Sequence, residues 1–74
     1  MLLLKDLIYI TNAGSSEVFS YEVLDMNGRV ILKANNAING TATTEINLNK
    51  VEVGVYMVRV FNDNANKTFR VVKN

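Results

Sequence analysis

Apolar residues in this chain come in short runs that alternate with polar ones, and the runs end at Asn, Gly or Ser. Alternation with a period of two marks half-buried strands, whereas no stretch shows the 3.6-residue recurrence and caps of an amphipathic helix. Residues 2–10 read as a first strand with an irregularity at Lys5-Asp6, followed by a turn at 12–16. Residues 18–26 and 29–34 flank Asn27-Gly28, a dipeptide suited to a two-residue hairpin turn with positive φ at both positions. A polar loop covers 35–40, and Thr44, Ile46 and Leu48 then alternate with Glu45 and Asn47 in a further strand. Residues 49–53 connect to the strand Gly54-Val55-Tyr56-Met57-Val58-Arg59-Val60-Phe61. An Asn-rich turn at 62–66 leads to the last strand, Phe69-Arg70-Val71-Val72-Lys73-Asn74. The pattern predicts an all-β fold, a small antiparallel β-sandwich of six to seven strands in one domain spanning residues 1–74.

The two hairpins carry testable registers. With Asn27-Gly28 as the loop, Tyr21 faces Ala34, Glu22 faces Lys33, Val23 faces Leu32, Leu24 faces Ile31 and Asp25 faces Val30. One face is then mostly apolar and the other holds an opposite-charge pair, which is self-consistent. In the last hairpin the expected register sets Val60 against Phe69 and Val58 against Val71. It also sets Arg59 directly against Arg70, an unfavourable pairing unless an acid or an anion lies between them.

Composition narrows the chemistry. Seventy-four residues with 49% apolar content can form one core, near the lower size limit, with no cysteine to staple it. Asparagine, eleven of 74 residues, falls almost entirely in turns and so supplies turn chemistry. A net charge of +1 lacks the clustered basic footprint of a nucleic-acid binder. Met1-Leu2-Leu3-Leu4 is cut short by Lys5-Asp6, so it is no signal peptide, and no stretch is long enough to span a bilayer. Export would need a leader on a longer precursor.

The chain has no histidine, cysteine or tryptophan, which removes thiol nucleophiles, Ser-His constellations and imidazole metal ligands. Its seven carboxylates are scattered over alternating strand positions. Asp25-Met26-Asn27-Gly28 opens like a calcium loop but lacks the later ligands, and the 62–66 turn offers a single charge. The reading is therefore non-catalytic, with no metal and no cofactor. A small basic patch remains on the last hairpin: Arg59 and Arg70, with Lys67 and Lys73 nearby and Met57 and Val72 as an apolar centre. Arginine and methionine beside apolar groups suit a protein interface.

Three blocks carry a family resemblance. Tyr21-Glu22-Val23-Leu24-Asp25-Met26-Asn27-Gly28-Arg29-Val30 resembles the hairpin of the type IX secretion (Por secretion system) C-terminal sorting domains. Ile46-Asn47-Leu48, Val51 and Gly54-Val55-Tyr56 resemble that family's next block, where Val51-Glu52 replaces a common Leu-Pro pair. Phe69-Arg70-Val71-Val72-Lys73 is similar to its closing strand, with Asn74 following the lysine at which many members stop. The blocks cover about residues 18–74 in the family's order and spacing; the Asn-Pro motif that often opens its first strand is missing.

The resemblance implies an Ig-like sandwich that serves as a secretion signal for an N-terminal cargo domain. Its implied partners are the type IX translocon, its shuttle proteins and a sortase-like processing enzyme. Its implied destination is the exterior or outer-membrane surface of a Gram-negative bacterium, reached through the periplasm. For such a signal the candidate partner-binding residues are Gly54, Tyr56, Arg59, Arg70 and Lys73. Gly54 would permit the turn into its strand, Tyr56 would anchor the hairpin to the core, and the three basic residues would touch the partner. For Gly54 and Tyr56 the fold-maintaining role carries more weight. Exposed sheet edges also permit a homodimer by edge pairing or strand exchange. The alternative is an Ig-like or fibronectin-like accessory or adhesion module of a surface protein, although a glycan platform usually wants exposed aromatics.

Overall fold

A computed structural model describes residues 7–11, 17–40 and 43–74. Six strands follow one another: β1 (Leu7–Thr11), β2 (Val18–Leu24), β3 (Val30–Asn39), β4 (Thr43–Asn47), β5 (Gly54–Phe61) and β6 (Asn66–Lys73). They form a two-stranded sheet, β1-β4, and a four-stranded sheet in the order β3-β2-β5-β6, with antiparallel pairing throughout. Ile8 and Ile46 from the small sheet, with Leu48 just past it, meet Val23, Tyr56, Val58 and Val71 from the large one in a single buried cluster. Alternation places these side chains on facing surfaces, so the chain is an all-β, Ig-like antiparallel sandwich. The expected stretch 2–6 of the first strand and the turn at 12–16 lie outside the described residues.

The first hairpin keeps the expected pairs Tyr21–Ala34, Glu22–Lys33 and Val23–Leu32. Beyond them the register shifts, and Leu24 faces Val30 instead of Ile31. The cause is the loop, which has three residues, Met26-Asn27-Gly28, and not two. The Gly28 amide donates to the Asp25 carbonyl at 3.0 Å, and the Asp25 amide donates to the Arg29 carbonyl at 2.9 Å. Only Gly28 takes a positive φ, +83°, as in a type I turn closed by a glycine bulge. Asp25 selects this turn, because its Oδ1 accepts from the amides of Asn27 and Arg29, both at 2.9 Å.

Two further expectations are corrected. The polar stretch 35–40 is for the most part strand, because β3 continues through it to Asn39 with a bulge opposite Ser20. Asn36 supplies the bend with φ +52°, and its amide is satisfied by Ser20 Oγ at 3.0 Å. The bulge lets Ile38 reach full burial.

In the last hairpin β6 is displaced by two residues from the expected register: Val58 faces Phe69, Tyr56 faces Val71, and Arg59 faces Thr68. The loop is shorter than expected. Asn62 donates through its amide to the Ala65 carbonyl at 2.9 Å and accepts through Oδ1 from the amides of Asn64 and Ala65 at 2.8 Å. A slip of two preserves which side chains point inward, so the core is as expected while the Arg59–Arg70 confrontation disappears.

Gly28→Ala should lower stability by about 1 kcal/mol, the cost of holding an L-residue at positive φ, read as a lower urea midpoint at unchanged slope. An unchanged midpoint would contradict the turn described.

Candidate interaction surface

The β5–β6 hairpin has two faces, and the five candidate residues divide between them. Tyr56, Val58 and Val71 point into the core, and Lys73 shares their side of β6. Met57, Arg59, Arg70 and Val72 occupy the outer side, where Met57 faces Arg70 and Val55 faces Val72.

Lys73 does not join the exposed patch expected of it. It is 7% exposed, and its ammonium donates to the carbonyls of Leu48 at 2.8 Å, Asn49 at 3.4 Å and Val51. An ammonium has three protons and no acceptor, so three carbonyl oxygens match its donor set. Those carbonyls belong to the β4–β5 connector, which carries further ties. The Val51 amide donates to the Leu48 carbonyl at 3.0 Å, and the Asn49 amide donates to Asn47 Oδ1 at 2.7 Å.

Tyr56 acts on the same segment. Its hydroxyl donates to the Glu52 carbonyl at 2.6 Å, four residues upstream, while its ring is buried in the core. Such a bond to nearby upstream backbone is the logic of the tyrosine corner in Ig-like domains. Gly54 lies opposite Lys73 in the register. Its φ is outside the positive range, and a methyl group there would meet the Tyr56 ring at an ordinary 3.7 Å. The turn into β5 therefore does not require glycine, which corrects the conformational role expected of Gly54.

Arg59 and Arg70 differ from each other. The Arg59 guanidinium lies 2.9 Å from Glu22 Oε1 and 4.0 Å over the Phe61 ring. These two contacts are worth about 1 kcal/mol each at most for a partly exposed group, enough to orient the side chain along the sheet. Arg70 is exposed and makes no ion pair among the described residues. Pairing had no sequence signal at Arg59 beyond the alternation that places Glu22 on the outer face.

Sequence reasoning missed the residues that meet these at one end of the sandwich. A groove of 530 Å³ separates the Asp25–Arg29 turn from the connector, with Lys50, Glu52 and Tyr56 on the connector side. Arg29 Nε lies 3.2 Å from Asp25 Oδ2. The Arg29 amide bond is the largest influence on the Asp25 carboxyl; with the Asn27 amide bond and the Arg29 guanidinium it holds the group below its ordinary pKa against the opposing effect of desolvation. A depressed carboxyl stabilises the turn above its unfolded-state pKa and loses that contribution as pH falls through the folded-state value. Among the described residues no cluster of three or more histidine, cysteine or carboxylate groups is placed to hold a metal.

Tyr56→Phe should cost about 1 kcal/mol through the lost hydroxyl bond, and Lys73→Ala about 2 to 3 kcal/mol through three lost ammonium bonds, two of them to carbonyls with no other donor among the described residues. Chemical denaturation measures both, and equal, negligible losses would contradict the connector's description. The Asp25 side chain should titrate below the ordinary aspartate value of about 3.9, with the Asn27 and Arg29 amide resonances moving at the same midpoint. A midpoint at or above that value would contradict it.

No curated protein matches the chain. The family model described as the secretion system C-terminal sorting domain matches residues 4–74. That span includes the Asp25–Arg29 turn, the connector, Tyr56 and Lys73, the elements gathered at the groove. The chain belongs to the secretion system C-terminal sorting domain family, the sorting signals of type IX secretion.

Proposed function

We propose that this sorting signal is read by the export machinery through the outer face of the β5–β6 hairpin, with Arg59 and Arg70 as its basic contacts. As a member of its family the domain directs an N-terminal cargo into the Por system, toward the cell surface or the external milieu of Bacteroidetes-type bacteria. The finer reading is supported chiefly by Arg70, an exposed cation set opposite Met57 and between the outward Thr68 and Val72. Arg59, Arg70 and Lys33 outweigh Glu22 on this side of the sheet, in a chain whose whole net charge is only +1. An acidic surface with an apolar centre is the complementary partner.

Gly54, Tyr56 and Lys73 contribute to recognition by shaping the connector and not by direct charge contact. Translocon and shuttle proteins are the readers, met in the periplasm before the cargo reaches the outer-membrane surface. A sortase-like enzyme then removes the domain. β6 ends the four-stranded sheet, and no strand among the described residues pairs with its outer edge, which supports homodimer formation by edge pairing or strand exchange.

The test fuses residues 1–74 to a periplasm-directed fluorescent protein in hosts with and without a working type IX translocon. Translocon-dependent appearance of fluorescence outside the cell is expected; retention of the folded fusion would overturn the sorting role. The basic face is tested by Arg59→Gln with Arg70→Glu, because a glutamate at position 59 would confront Glu22. Export should fall at least about tenfold while the variant remains folded, with a melting temperature lowered only by the loss of the Arg59 contacts; such a fall is a loss of about 1.4 kcal/mol of recognition. Normal export of that folded variant would rule out the basic contacts.

A further inference from the structure

The outer face of the four-stranded sheet sorts its side chains by row. Val30, Leu24, Met57 and Arg70 stand side by side across β3, β2, β5 and β6. The next row reads Lys33, Glu22, Arg59 and Thr68. The first of these rows is apolar but for its last member, and the second is mostly charged.

The turn of the first hairpin makes this face concave. Asp25 and Met26 in the turn, with Leu24, Met57, Arg59 and Thr68 on the sheet, line a hollow of about 450 Å³. Met26 is 67% exposed on a turn fixed by the two amide bonds to Asp25 Oδ1, and Met57 is half-buried on the sheet. Two unbranched, polarisable thioethers in one hollow make an adaptable socket for an apolar side chain.

Charge around the hollow is one-sided. The two carboxylates nearby, Asp25 and Glu22, are already paired with Arg29 and Arg59. Arg70, directly opposite Met57, is exposed and makes no ion pair among the described residues. β2 and β5 are central strands whose backbone groups are engaged by their neighbours, so this face offers side chains and not a strand edge. Arg70 and Lys33, on opposite edges of the sheet, are fewer cations than the cluster an anionic membrane takes. Two copies of the face would bring like charges together.

We propose that the reader of this sorting signal anchors itself in the hollow. One bulky apolar side chain of an export-machinery protein enters between Met26 and Met57, and a carboxylate beside it pairs with Arg70. Cross-strand neighbours stand about 5 Å apart, so the anchor over Met57 and the acid on Arg70 come from adjacent positions of one partner element. The proposal rests on the reading of the basic β5–β6 face and adds its anchor, which enlists the first hairpin.

The test replaces both thioethers by a neutral polar side chain of similar length, Met26→Gln with Met57→Gln, in the full chain fused to the same reporter. Translocon-dependent export of the folded variant should fall at least about tenfold. Met26→Gln alone, on the exposed turn, should lower export about threefold at an unchanged melting temperature. A photo-crosslinker at position 26 should give an adduct with a type IX translocon or shuttle protein, whereas one at Tyr9, 55% exposed on the small sheet, should not. Wild-type export from both variants would overturn the anchor and leave the basic contacts and the sorting role standing. Binding to phosphatidylglycerol vesicles, or a concentration-dependent dimer, that the double variant abolishes would also overturn it, by assigning the hollow to a membrane or to a second copy. Failure of the unaltered fusion to leave the cell would instead remove the sorting role, and the anchor with it.

Discussion

Lys73, next to last in the chain, joins the closing strand to the β4–β5 connector, and the shape of this end of the sandwich depends on that joint. A buried ammonium is costly unless its protons are matched, and Lys73 matches them with three backbone carbonyls of one connector. The Leu48 carbonyl also accepts from the Val51 amide, but those of Asn49 and Val51 would otherwise need water or another donor in a half-buried place. The interaction ties β6 to the segment between β4 and β5, so the edge of the large sheet is fastened across the end of the sandwich. For a chain of 74 residues without a disulfide, such a cross-tie replaces a covalent staple.

The register of the last hairpin is what places that lysine. In the observed pairing Lys73 stands opposite Gly54, at the mouth of the connector. A slip of two residues would keep Val71 and Lys73 facing inward but carry the ammonium toward Tyr56 and away from the Leu48 carbonyl. The Asn62 side chain prevents the slip by closing the loop early with two backbone amides. A turn asparagine on the surface and a buried lysine at the chain's end thus act on the same feature.

Much of this was legible from alternation alone. The bounds of β5, the inward set Ile46, Leu48, Val58 and Val71, and the first pairs of the β2–β3 hairpin follow from a period of two. What alternation could not supply was turn geometry. Asn27-Gly28 reads as a two-residue loop until Asp25 is seen to accept two amides, and 35–40 reads as a loop until Ser20 is seen to satisfy a bend at Asn36. The candidate site was half legible. Residue type marked Tyr56 and Lys73, but a basic residue in a closing strand gives no sign that its charge is turned to carbonyls 22 to 25 residues upstream. Met26 carried no signal, because its place beside Met57 depends on the turn that Asp25 closes.

The three blocks of the family resemblance lie far apart in sequence yet meet at one end of the fold. Asp25–Arg29 builds one bank of the groove, the connector builds the other, and the closing lysine sets the connector's shape. Hydrogen exchange of the connector in the wild type and in Lys73→Met tests that dependence most directly. The Val51 amide, bonded to the Leu48 carbonyl, should lose protection about a hundredfold more than the amides of Val23 and Val58 in the core. Connector and core amides losing protection in parallel would show that Lys73 supports the fold as a whole and does not shape this end of it.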